Sequence, residues 1–213
     1  MARRERMYLG GSTYHVVQRG NNRQPCFTEP LAFVLYKEYL MDALLRYGVS
    51  LHAYALMTNH VHLLLTPACG DGISRVMSLL GNRYVQFVNR HYGRTGSLYE
   101  GRHRACLINC ERYLFNCYRY IELNPVTAKL VHKPGAYYWS SYARNALGVQ
   151  DELVTPHPAY IGLGYTRKRR CAAYRALCKQ GLEPAAVDEI RVATRSGLPL
   201  GGYADTLPAG ISI

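Results

Sequence analysis

The sequence predicts an α+β fold: an antiparallel sheet with helices packed on one face in a ferredoxin-like (split βαβ, RRM-like) arrangement, followed by a C-terminal helical appendage. Three observations carry this expectation. Apolar and polar residues alternate with period two at residues 12–19 and 59–65, the pattern of half-buried strands. Apolar residues recur at helical spacing through residues 33–47 and 73–88. Between residues 12 and 131 the elements then follow as β-α-β-β-α-β-α, or close to it.

Composition sets the frame. The 213 residues are 48% hydrophobic and 19% charged, which suits one sizeable folded core and excludes a disordered chain. No apolar run approaches a membrane span, and the basic start Met-Ala-Arg-Arg-Glu-Arg leads into no continuous apolar core, so it does not read as a signal peptide. The seven cysteines are odd in number and contain no Cys-x-x-Cys, as expected of reduced thiols in a cytoplasm. Cys106, Cys110 and Cys117 match no zinc spacing and are read as core. Residues 1–150 are expected to form the main domain and residues 151–213 a basic helical appendage and tail.

Taken in order, residues 12–19 form a first strand that ends at the turn signal Gly20-Asn21-Asn22. His15 on this strand reads as a buried structural histidine, with a third metal ligand as the alternative. Thr28 and Pro30 open a helix as cap and first turn, and Gly48 stops it. Residues 49–57 and 59–65 read as two strands. A second long helix spans about residues 73–92, with Arg75, Arg83, Asn89 and Arg90 on its polar face. Residues 102–108 make a further strand. Asn109 is expected to cap a third helix, residues 110–124, ending before Pro125, which can begin a short helix through residue 131. Trp139 sits among tyrosines in a segment that should seal the core. Helices are expected over residues 170–179 and 184–195, with a glycine-rich, poorly ordered tail from Ser196.

The charge pattern points to a class of partner. Twenty-six Lys and Arg against fourteen Asp and Glu give a net charge of +12, and Arg dominates. Such a balance fits a polyanion, and guanidinium groups suit bidentate phosphate contacts. Nineteen tyrosines add aromatic faces of the kind on which single-stranded nucleic acid stacks. The candidate contacts are Arg19, Arg23, Arg83, Arg102, Arg104 and the run Arg167, Lys168, Arg169 and Arg170.

The most chemically suggestive stretch is His60-Val61-His62. Successive strand residues point to opposite faces, so the two imidazoles share one face and can hold one metal ion with positions left open. A nucleophile and a further ligand would have to come from elsewhere. Residues four apart share a helix face, and the third helix offers two pairs, Tyr118 with Glu122 and Tyr120 with Asn124. They lie roughly 160° apart around the helix, so only one can face the histidines. Periodicity does not choose between them.

Three motifs together resemble a known family: Tyr14-His15-Val16-Val17-Gln18-Arg19-Gly20-Asn21-Asn22-Arg23, then Thr58-Asn59-His60-Val61-His62-Leu63-Leu64, then Arg119-Tyr120-Ile121-Glu122-Leu123-Asn124-Pro125. In this order they are similar to the REP-associated tyrosine transposases, single-tyrosine members of the HUH nucleases, over about residues 8–165. The resemblance implies a metal-dependent transposase and endonuclease that nicks and rejoins single-stranded or hairpin-flanked DNA through a covalent 5′-phosphotyrosine. It implies Tyr120 as nucleophile, His60, His62 and Asn124 as ligands of Mg²⁺ or Mn²⁺, and a cytoplasmic protein, nucleoid-associated when bound to DNA, that acts as monomer or homodimer. Transposon-encoded relatives usually carry Gln, one methylene longer, at the position of Asn124. Two other readings predict different behaviour: a non-catalytic nucleic-acid-binding protein on the same fold, or a zinc hydrolase that uses Glu122 as base.

Overall fold

The computed structural model describes residues 8–201. Four strands, β1 (Thr13–Arg19), β2 (Val49–Met57), β3 (His60–Pro67) and β4 (Arg104–Ile108), form one antiparallel sheet in the order β2-β3-β1-β4. This is the ferredoxin-like order, with β1 and β3 in the centre. The helices are α1 (Pro30–Tyr47), α2 (Gly72–His91), α3 (Glu111–Thr127), α4 (Tyr142–Leu147), α5 (Pro158–Gly162), α6 (Arg167–Lys179) and α7 (Pro184–Ser196).

Strand pleat divides the apolar residues between two cores. Val16, Leu51, Tyr54, Leu56, Val61, Leu63 and Leu65 face α1 and α2, where Phe33, Tyr36, Leu40, Ile73, Val76, Leu80 and Tyr84 pack on them. Trp139 stacks on Phe33 at 4.5 Å between ring centroids and closes this side, as its surroundings in sequence suggest. Ala53, Ala55, Met57, Leu64, Cys106 and Ile108 point to the opposite face and meet Leu114, Cys117, Tyr118 and Ile121 of α3. The alanines leave room for α3 to lie against β2.

Helices therefore cover both faces of the sheet, not one. Helix α3 starts the second layer and the C-terminal segment extends it. Tyr160, Tyr174, Cys178, Ile190, Ala193 and Leu200 all join the second core, so α5, α6 and α7 complete the layer that α3 begins. Leu200, expected in a loose tail, is fully buried and its N–H donates to Leu107 O at 2.8 Å. Residues 202–213 and the basic residues 1–7 lie outside the described residues.

Several local expectations are also corrected. Glu29, not Thr28, precedes α1 as its cap residue, while Gly48 ends that helix in the left-handed region at φ 60°. The cap of α3 is Cys110, which is exposed, in contrast to the buried Cys106 and Cys117. Helix α3 also does not stop before Pro125. Proline removes one backbone donor, but only in the last turn, and Ala128 N–H still reaches Asn124 O at 2.8 Å. Asn124 thus lies inside the helix with its side chain released from any capping role.

The basic run at residues 167–170 forms the first turn of α6, whose cap is Thr166, with Oγ1 accepting from Arg169 N–H. Among the described residues, no helix is long and apolar enough to cross a membrane.

Candidate active site

His60 and His62 project from central strand β3 on the face covered by α3 and α7, at 4.9 Å between ring centroids. The sheet register places Arg19 beside His60, and Val17 and Ala55 on either side of His62. His15, one pair further along β1, stacks on His62 at 5.1 Å. All three rings are neutral near pH 7. Burial lowers His15 to about 3 and His62 well below the ordinary range, and burial with the nearby Arg19 charge lowers His60 to about 4.

The hydrogen bonds of His60 define which nitrogen carries its proton. Asn59 Nδ2 donates to Arg23 O at 3.1 Å, which turns Asn59 Oδ1 toward His60 Nδ1 at 2.6 Å. That oxygen can only accept, so Nδ1 holds the proton and Nε2 keeps a free lone pair. Arg23 itself sits in the left-handed region at φ 59°, next to Asn22 at φ 50°. The turn after β1 is thus held in an uncommon conformation beside the site and is tied to the His60 ring.

Helix α3 answers the question that periodicity left open. Tyr120 faces the histidines, with its ring 5.6 Å from His62 and 5.8 Å from His15, both edge-on. Asn124, one turn on, brings Nδ2 to 3.2 Å from His62 Nε2, so its amide presents the nitrogen to that ring. Tyr118 and Glu122 point the other way. Tyr118 is fully buried near Tyr160 and Tyr174. Glu122 accepts hydrogen bonds from Ser141 Oγ, Asn145 Nδ2 and Tyr174 OH, and burial raises its carboxyl to about 7. The arrangement that a Glu122-based hydrolase requires is therefore absent: this carboxyl is a structural tie between α3, α4 and α6.

Among the described residues, no group of three or more His, Cys, Asp or Glu is placed to hold a metal ion. Beside His60 and His62, the nearest polar group from α3 is the Asn124 amide. Two imidazole nitrogens and an amide oxygen, all neutral, suit a divalent cation with positions left over for oxygen ligands.

A cleft of about 1070 Å³ opens over this centre. Of the arginines singled out by sequence, Arg19, Arg23, Arg102 and Arg104 line it. Arg83 does not; it lies on α2, on the other side of the sheet, paired with Asp42. Arg167, Lys168, Arg169 and Arg170 also stand apart from it, with Arg167 donating to Gly148 O and Arg170 to Gly164 O.

Sequence reasoning missed Asn59 as an orienting group, although its adjacency to His60 was a usable signal. It also missed the wall contributed by α7, where Arg191, Thr194 and Arg195 line the cleft. Nothing in the sequence states that this helix packs beside β1 and β4.

Comparison with known proteins gives three findings. A family model described as "Transposase IS200 like" matches residues 9–124. No curated protein sequence matches the chain. Among solved structures, a REP-associated tyrosine transposase bound to a REP hairpin superposes with a TM-score of 0.58 at 18% identity, covering 75% of this chain and 96% of its own. A candidate transposase from Deinococcus radiodurans R1 aligns with a TM-score of 0.39 at 23% identity over 56% of this chain and 95% of its own. At these identities the first superposition speaks for the fold.

Proposed function

Because this chain belongs to the IS200-like transposase family, we propose that it nicks and rejoins single-stranded or hairpin-flanked DNA, with Tyr120 as the nucleophile, in DNA transposition or REP-element processing. The observation that carries this reading is the convergence of Tyr120, Asn124, His60 and His62 from two distant parts of the chain. A REP hairpin in the superposed transposase adds a substrate class consistent with it.

Each residue has a task in this reading. His60 Nε2, His62 Nε2 and the Asn124 amide oxygen would hold Mg²⁺ or Mn²⁺, which supplies charge stabilisation at the scissile phosphate when bound. Tyr120 Oη attacks phosphorus, the bond from phosphorus to the 3′ oxygen breaks, and a 5′-phosphotyrosine forms. The departing 3′ oxygen takes up a proton as the phenol loses one, so a free 3′-hydroxyl results. Attack by a second 3′-hydroxyl on the phosphotyrosine reverses the step without ATP, because the covalent link conserves the phosphodiester. Nicking and joining then belong to one site.

Arg19, Arg23, Arg102 and Arg104 suit the phosphates of a strand lying in the cleft. Arg83, Arg167, Lys168, Arg169 and Arg170 would meet only DNA that extends beyond it.

The test compares wild type with Tyr120→Phe, each incubated with Mn²⁺ and a hairpin-bearing single strand, and reads protein–DNA adduct on a denaturing gel. Wild type should form the adduct and the variant should bind without forming it. Binding by wild type with no adduct, or an adduct in the Phe variant, defeats the proposal. The first of these outcomes favours a non-catalytic binding protein on this fold.

A further inference from the structure

The pair of histidines is served by two hydrogen-bond chains, and the second begins on a helix outside the matched family region. Thr194 of α7 donates its hydroxyl proton to Ile190 O at 2.7 Å. Its oxygen lies 3.1 Å from His15 Nδ1. His15 Nε2 in turn lies 2.9 Å from His62 Nδ1, and His62 Nε2 faces the Asn124 amide. His15 is fully buried, so the polarity of this chain has no water to reset it.

The direction of every proton follows from the shortest link. With its own proton on Ile190 O, Thr194 Oγ1 can only accept, so His15 carries hydrogen on Nδ1. His15 Nε2 is then a lone pair and must receive the Nδ1 proton of His62. That leaves His62 Nε2 unprotonated. The opposite tautomer of His15 would set the Nδ1 lone pair against the Thr194 oxygen, and would force a proton onto His62 Nε2.

We propose that Thr194 is a positioning residue that acts through His15 to fix the proton of His62 on Nδ1, leaving Nε2 open toward Asn124. The C-terminal helix α7 is thereby part of the working centre and not only a cover for it. His60 receives the same treatment from Asn59 and Arg23 O, so both rings present Nε2 with a lone pair. That this nitrogen serves a metal rests on the function proposed above; the proton placement does not. Outer partners of metal-bound histidines act in this way, orienting the ring and fixing its tautomer.

The experiment assigns ring-nitrogen protonation of His15 and His62 by ¹⁵N NMR in the metal-free protein, for wild type, Thr194→Val and Thr194→Ser. Mn²⁺ affinity is measured in parallel by titration calorimetry. Wild type and Thr194→Ser should show a protonated Nδ1 and bare Nε2 on both rings. Thr194→Val should shift His15 and His62 to the opposite tautomers and weaken Mn²⁺ binding about 10–100-fold.

A protonated His62 Nε2 in wild type overturns the proposal without recourse to any variant, which covers the case of a Val protein that does not fold. Unchanged tautomers in a folded Thr194→Val protein overturn it as well. Expected tautomers with no Mn²⁺ binding in any form would uphold the relay and defeat the metal reading instead.

Discussion

Asn124 Nδ2 lies 3.2 Å from His62 Nε2, which joins the tyrosine-bearing helix α3 directly to the central strand β3. The contact aligns the Tyr120 face of the helix with the histidine pair and turns the Tyr118 face into the second core. Adduct formation and metal binding should both depend on that alignment.

The two tyrosines of α3 should behave in opposite ways. Tyr118→Phe keeps a ring that packs near Tyr160 and Tyr174 and should change stability by no more than about 1 kcal/mol. Adduct yield in that variant should match wild type, while Tyr120→Phe should abolish it. A Tyr118→Phe protein that folds yet forms no adduct would place the nucleophile wrongly.

Metal dependence should track Asn59 and Asn124. Loss of Asn59 frees the His60 ring from Arg23 O, so Asn59→Ala should lower Mn²⁺ affinity about 10–100-fold, measured by calorimetry. Asn124→Ala should lower it at least as much. A chelator should stop adduct formation by wild type, and added Mn²⁺ should restore it. Full adduct yield in excess chelator is incompatible with a metal at this centre.

Electrostatic contacts should separate by location. Arg23 and Arg104 line the cleft, whereas Arg83 and Arg169 do not. Alanine at either cleft position should weaken single-strand binding and reduce the slope of log K against log salt by about 0.7 for each phosphate that is no longer neutralised. Alanine at Arg83 or Arg169 should leave binding of a short strand near the wild-type value. Equal weakening at all four positions would mean that net charge, not the cleft, carries binding.

Glu122 should make stability depend on pH. Its carboxyl is raised from 4.5 to about 7, first by burial, against three donors that favour the charged form. Between those values the folded state holds the proton more tightly than the unfolded chain, so this group's contribution falls as pH rises through the window. The change amounts to about 3 kcal/mol at 1.36 kcal/mol per unit. Buried His15 and His52 and part-buried His60 act in the other sense, since their depressed values favour folding as pH rises toward 6.5. The difference between wild type and Glu122→Gln in urea unfolding isolates the carboxyl. The variant should gain on wild type by about that amount from pH 4.5 to pH 8, and parallel curves would refute the assignment.

The fold and half of the centre were legible because their signals are local. Period-two alternation places His60 and His62 on one face wherever the strand sits, since the pleat does this within three residues. Glycine at residue 48 and the helical spacing before it likewise mark α1 from sequence alone. The arginines were legible as a composition, but not as a set. Arg19 and Arg104 share the cleft because β1 pairs with both β3 and β4, and strand order is a long-range property.

Sequence alone determined the histidine pair, two candidate tyrosines and a basic chain suited to nucleic acid. Tertiary structure decided which of the two faces the histidines: Tyr120. Helix α3 packs on β2 and β3 on one side and on α6 and α7 on others, so only Glu111, Arg112 and Thr127 of it are exposed and no solvent-facing stripe marks its orientation. The packing of Tyr118 and the three hydrogen bonds to Glu122, together with the Asn124–His62 contact, set the angle of the helix. The same holds for His15 and Thr194, 179 residues apart and joined by one hydrogen bond, whose meeting depends on α7 docking beside β1.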